Sequence, residues 1–101
     1  MEMNSMYIVA KYYNEIDTVI SSIDNTDLDS GRDTVYKDFN YTKTDGSTGS
    51  ISQFYKAVIT YDKIANTITV TEHQLNKDNE YTEIGTVSLT VDEYNRIKSL
   101  L

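Results

Sequence analysis

The chain contains no cysteine, no proline and no tryptophan, and it has a single histidine. Without cysteine it forms neither disulfides nor thiolate metal sites, which fits a reducing, cytoplasmic setting. Without proline, no strand edge is guarded by a residue that cannot donate to a ladder. The lone histidine, His73, has Glu72 beside it, but neighbouring strand residues point to opposite faces. With no cysteine nucleophile and no Ser-His-acid spacing, an acid–base–nucleophile set is missing, so His73 reads as a surface residue. No catalytic residue is assigned, and the chain is expected not to be an enzyme. Long apolar runs are absent as well. The longest begins at Met6 and ends by Ala10, far short of the ~20 residues that span a bilayer. Met1 to Met6 show no basic region followed by an apolar stretch, so no signal peptide is expected.

What is present is acid, and it is clustered. Between residues 14 and 33 stand Glu15, Asp17, Asp24, Asp27, Asp29 and Asp33 against Arg32 alone, which is −5 of the chain's −7. The rest is nearly balanced. Such a segment either solvates a loop or presents a negative surface to a basic partner. The same charge disfavours nucleic acid and anionic membranes, whose phosphates repel it. Nine tyrosines and abundant threonine favour strands, and tyrosine also serves interfaces through its flat apolar body and polar tip. At 101 residues, 39% of them apolar, one domain spanning 1–101 with a modest core is expected.

Periodicity orders the elements. Ile8/Val9, Tyr12/Tyr13, Ile16, Val19/Ile20 and Ile23 recur every three to four residues and predict an N-terminal helix with Ser5 as cap. The β-branched and aromatic content of Ser5–Tyr13 supports a competing split, a strand followed by a short helix capped by Asn14. The period persists through Ile23, which favours one helix. Asp24–Asp33 reads as a loop. Four strands are then expected, over Thr34–Lys43, Ser50–Tyr61, Thr67–Leu75 and Tyr81–Leu89. The turns between them are Gly-rich Thr44–Gly49, Asp62–Asn66 and Asn76–Asn79. Short turns at regular spacing imply an antiparallel meander. In the last strand Tyr81, Glu83, Gly85, Val87 and Leu89 share one face by alternation. Thr90 and Glu93 form a capping-box pattern that opens a C-terminal helix, with Tyr94, Ile97 and Leu101 as its apolar stripe. The fold class is therefore α+β: an N-terminal helix, a four-stranded antiparallel meander and a C-terminal helix packed on one face.

Several chemistries fail on spacing. Asn25, Asp27, Asp29 and Gly31 resemble the front of a calcium loop, which needs Gly at position 6 and Glu at position 12. Counted from Asn25, those positions are Ser30 and Tyr36, so neither metal nor cofactor is assigned. Gly46 to Gly49 lacks the lysine and the strand–loop–helix context of a phosphate loop. The polar side of the N-terminal helix carries Glu15 and Asp17 rather than lysines, which argues against a membrane-surface helix.

Two functional readings remain. Carboxylates at intervals along a helix end and loop imitate a row of phosphates and would fill the basic groove of a nucleic-acid-binding protein or nuclease. Tyr12 and Tyr36 would add anchoring area beside Glu15, Asp17, Asp24, Asp27, Asp29 and Asp33. In size, charge and lack of cysteine the chain resembles small phage-encoded inhibitors of host defence, including anti-CRISPR proteins. That resemblance is compositional and assigns no residues. The alternative is a structural or assembly protein, a small α+β homodimer using a free strand edge or the wide apolar stripe of the first helix.

Overall fold

In the computed structural model, residues 4–42, 44–46 and 48–101 are described, without the side chains of 38–42 and 48–54. Helix α1 spans Ser5–Asp24, and strands β1 (Ser30–Thr42), β2 (Thr48–Asp62), β3 (Thr67–Leu75) and β4 (Tyr81–Thr90) precede helix α2 (Val91–Ser99). The strands form one antiparallel sheet in the order β1-β2-β3-β4. This is the expected α+β meander between two helices.

The first helix is continuous through the segment where a strand competed. Ile8, Val9, Tyr12, Ile16, Val19 and Ile23 are all buried. Packing of that stripe outweighs the modest helix propensity of its β-branched residues. The cap lies one residue earlier than expected. Asn4 Oδ1 accepts from the backbone N–H of Met6 and Tyr7, satisfying two of the helix's orphan donors, so Ser5 is the first helical residue. Tyr13, grouped with Tyr12 in the sequence pattern, is exposed.

The sheet lays one face on α1. Ala57, Ile59, Tyr61, Ile68, Val70, Val87 and Leu89 join the helix stripe in a single core cluster, and Tyr94 brings α2 into it. Alternation fails once. Glu72 pairs with Gly85, yet His73 pairs with Glu83, which leaves Ile84 as an extra residue in β4. This bulge shifts the phase of the strand, and Glu83 is exposed rather than sharing the inward face of Val87 and Leu89. The α2 cap forms as expected: Thr90 Oγ1 accepts from Glu93 N–H, and Glu93 Oε1 from Thr90 N–H. Leu101, assigned to the α2 stripe, lies beyond its end and is exposed. The side chains of Phe39, Tyr41, Ile51 and Phe54, the apolar residues of β1 and β2 near their shared turn, lie outside those described.

The loop after α1 is shorter than Asp24–Asp33. Asp24 ends the helix, and β1 begins at Ser30 with Asp33 paired to Ile59. Gly31 explains the tight junction. A Cβ there would run into Ile23 Cδ1, so any larger residue would force the Ile23 side chain to shift.

Candidate functional site

The structure divides the acidic residues into two groups. Three ion pairs among the described residues each join α1 to a different element: Glu15 to Lys37 of β1, Asp17 to Lys98 of α2, and Lys11 to Glu72 of β3. Asp17 also accepts from the Tyr94 hydroxyl at 2.6 Å. Burial and that carboxylate push the Tyr94 phenol well above its usual range. Glu15 and Asp17 are thus half-buried and each is paired with a lysine of another element. Their partners, Lys37 and Lys98, lie 22 and 81 residues away along the chain.

Asp24, Asp27, Asp29 and Asp33 remain exposed. The loop carrying the middle pair is pinned. Lys63 N–H donates to the Asp29 carbonyl at 2.7 Å, and Lys63 Nζ reaches the carbonyls of Thr26 and Ile23. The ammonium sits at the negative end of the α1 dipole, where α1 has no basic residue of its own. Thr26 Oγ1 donates to the Ile23 carbonyl and accepts from Leu28 N–H. Asp24 Oδ1 accepts from the Tyr61 hydroxyl at 3.0 Å.

This pinning joins the 25–29 loop to the β2–β3 turn. That turn is in turn bonded to the start of α2, whose Val91 N–H donates to the Asn66 carbonyl. One end of the molecule therefore gathers Asp24, Asp27 and Asp29 with Asp92 and Glu93 of the first turn of α2. We call it the acidic pole. Two large apolar side chains stand out from it, Leu28 at 59% and Ile64 at 74% exposure. Neither they nor the two α2 acids were assigned to the site from sequence, because the hydrogen bonds that assemble the pole link distant segments.

Both predicted tyrosines lie elsewhere. Tyr12 is fully buried, so it has no surface for a partner; it belongs to the inward stripe that the helix period marks. Tyr36 is exposed on β1 but leans on Tyr81, with ring centroids 5.9 Å apart. Asp33 sits on β1 beside Arg32, lining a groove with Thr18, Val19, Ser22 and Ile23.

A second polar cluster escaped the sequence pattern. Glu72 has no exposed surface although it is charged. Its Oε2 accepts from the Tyr12 hydroxyl at 2.6 Å and from Lys11 Nζ at 2.9 Å, and its Oε1 from the Tyr7 hydroxyl at 3.3 Å. Lys11 Nζ also lies 3.3 Å from the Tyr55 ring centroid, 5.3 Å from that of Tyr7 and 5.5 Å from that of Tyr12. Burial, reinforced by the bond to Glu72, drives the Tyr12 phenol far above its ordinary range. Burial also raises Tyr55, against the pull of Lys11. A signal exists in the chain: Glu72 follows Ile68 and Val70 at strand alternation, and Tyr7 and Lys11, at i and i+4, share one helix face beside the stripe that carries Tyr12. Opposite Glu72, Gly85 adds no side chain. His73, on the other parity, is half-buried rather than freely exposed, with Nδ1 lacking a hydrogen-bond partner.

Compared with protein families, with characterised proteins and with solved structures, the chain matches none. The fold defines it as an α+β domain, and among the described residues no helix is long and apolar enough to cross a membrane.

Proposed function

We propose that this is a non-enzymatic binding protein whose acidic pole docks on a basic protein. Its class is that of a charge-mimicking inhibitor, of the anti-CRISPR or phage-inhibitor kind, which fills the basic groove of a nucleic-acid-binding protein. The observation that carries the reading is Leu28, exposed between exposed Asp27 and Asp29 on a loop pinned by Lys63 and Thr26. Carboxylates that only solvate a loop need neither an apolar residue between them nor a fixed backbone. A pre-ordered loop loses less entropy on docking. An apolar anchor rimmed by charge is the layout of an interface centre. Long-range attraction to a basic groove would speed the encounter and weaken with salt.

The test is capture from bacterial lysate on the immobilised chain, eluted along a salt gradient. A basic nucleic-acid-binding protein should be retained at low salt and released as salt rises. The variant D27K/D29K should bind it at least about tenfold more weakly, as expected when like charges face each other. Unchanged affinity in that variant would overturn the reading.

A second reading, self-assembly as a homodimer, is favoured by the sheet face turned away from the helices. Val58 is only half-buried there among Thr34, Thr71 and Thr86, and β1 and β4 are the outer strands. Sedimentation over a concentration series tests it: a dimer fraction that grows with concentration supports it, and a strict monomer counts against it.

A further inference from the structure

Lys11 occupies a site that is more elaborate than an ion pair requires. Three phenol rings approach its ammonium at 3.3, 5.3 and 5.5 Å. Glu72 Oε2 accepts from it at 2.9 Å and the Tyr7 hydroxyl at 3.1 Å. Ring faces attract a cation through their quadrupoles, and a carboxylate adds a charge-assisted hydrogen bond. These are the components by which proteins recognise alkylammonium groups. We infer that Tyr7, Tyr12, Tyr55 and Glu72 form a binding site for a primary alkylammonium group, which Lys11 fills from within the chain.

Two features make the site a preformed receptor rather than a contact that Lys11 creates. Most of its wall is held by other interactions. Tyr12 is a fully buried core residue whose hydroxyl is bonded to Glu72, and Glu72 itself is fully buried on β3, across from Gly85. The site is also reachable, because Tyr7, its outer wall, is 43% exposed and the Lys11 side chain 20%. Removing the lysine beyond Cβ leaves the volume of three carbons and an ammonium bounded by a carboxylate and π faces. A site of this polarity takes n-propylammonium and refuses its neutral isostere, n-propanol. It lies on the N-terminal half of α1, away from the acidic pole, and its test is independent of the proposed function.

The experiment is thermal unfolding of K11A in increasing n-propylammonium chloride, with sodium chloride holding ionic strength constant. The melting temperature should rise with the logarithm of ligand concentration, by about 6 °C at ten times the dissociation constant. No such rise should occur with n-propanol, in the wild-type chain, or in K11A/E72Q. A flat response in folded K11A, or an equal response to n-propanol or in the wild type, overturns the inference. Should K11A fail to fold, NMR of the wild-type chain decides the question. The ε-methylene protons of Lys11 should lie upfield of those of the other lysines through the Tyr55 ring current, and return to the common position in Y55L. Coincidence with the other lysines in the wild type overturns the cage.

Discussion

Glu72 and Asp27 represent opposite uses of a carboxylate in this molecule. Glu72 has no exposed surface and accepts from two phenols and an ammonium. Asp27 is exposed at the acidic pole, beside Leu28, on a loop held by backbone and threonine hydrogen bonds. A buried charge is tolerated only when it is paired and fully bonded. An exposed one adds little to stability and is free to meet a partner. Position along the chain does not separate the two kinds. Glu15 and Asp17 lie in the same acidic stretch as Asp27, yet α1 turns them toward Lys37 and Lys98.

The contrast is open to direct attack. E72A should have the largest effect, because Lys11 and the Tyr12 hydroxyl are left without their acceptor. We expect a loss of about 3 kcal/mol in urea unfolding; a loss below about 1 kcal/mol would mean that Glu72 is not the centre of its cluster.

Alkaline pH attacks two buried phenols, Tyr12 in the Glu72 cluster and Tyr94 beside Asp17. Tyr12 and Tyr94 have their folded-state pKa values raised above those of the unfolded chain. Their contribution is fully present below the unfolded value, near pH 10, and is lost as pH rises above it. There the unfolded state releases protons that the folded state keeps, at about 1.4 kcal/mol per pH unit for each tyrosine. Ultraviolet tyrosinate absorbance should show these two phenols ionising only with unfolding.

A second variant probes the junction between α1 and β1. G31A places a methyl group against Ile23, 3.0 Å from Cγ1 and closer still to Cδ1. Overpacking a buried contact of this kind should cost about 1–3 kcal/mol, read from the urea midpoint at unchanged m-value. The smallest stability effect belongs to D27K/D29K, within about 0.5 kcal/mol of the wild type, as for exposed positions in general. Lost partner binding at unchanged stability would separate the surface role of these acids from the structural role of Glu72.

Much of the fold was legible. The periodic stripe from Ile8 to Ile23 marks α1 because a helix repeats every 3.6 residues wherever it is placed. Thr90 and Glu93 mark the start of α2 because their reciprocal bonds are local. The turns at Asp62–Asn66 and Asn76–Asn79 are readable for the same reason. Asn66 and Asn79 adopt positive φ angles, which asparagine tolerates better than most residues. The candidate site was legible only in part. Asp24, Asp27, Asp29 and Asp33 are exposed, as a negative surface requires, whereas Tyr12 is buried and Glu15 and Asp17 are half-buried and paired with lysines. Alternation misplaces Glu83 in β4, since a one-residue bulge leaves no mark in an alternating pattern.

Local rules, then, determined the elements, their order and the excess of negative charge. Periodicity, capping and turn chemistry act over a few residues and are written along the chain. Tertiary structure decided which charges are neutralised and which are displayed. Lys37 meets Glu15, Lys98 meets Asp17 and Lys11 meets Glu72 only after the helices close on the sheet. Electrostatic and hydrogen-bond energies depend on separation in space and on burial, and neither quantity exists until the chain has folded.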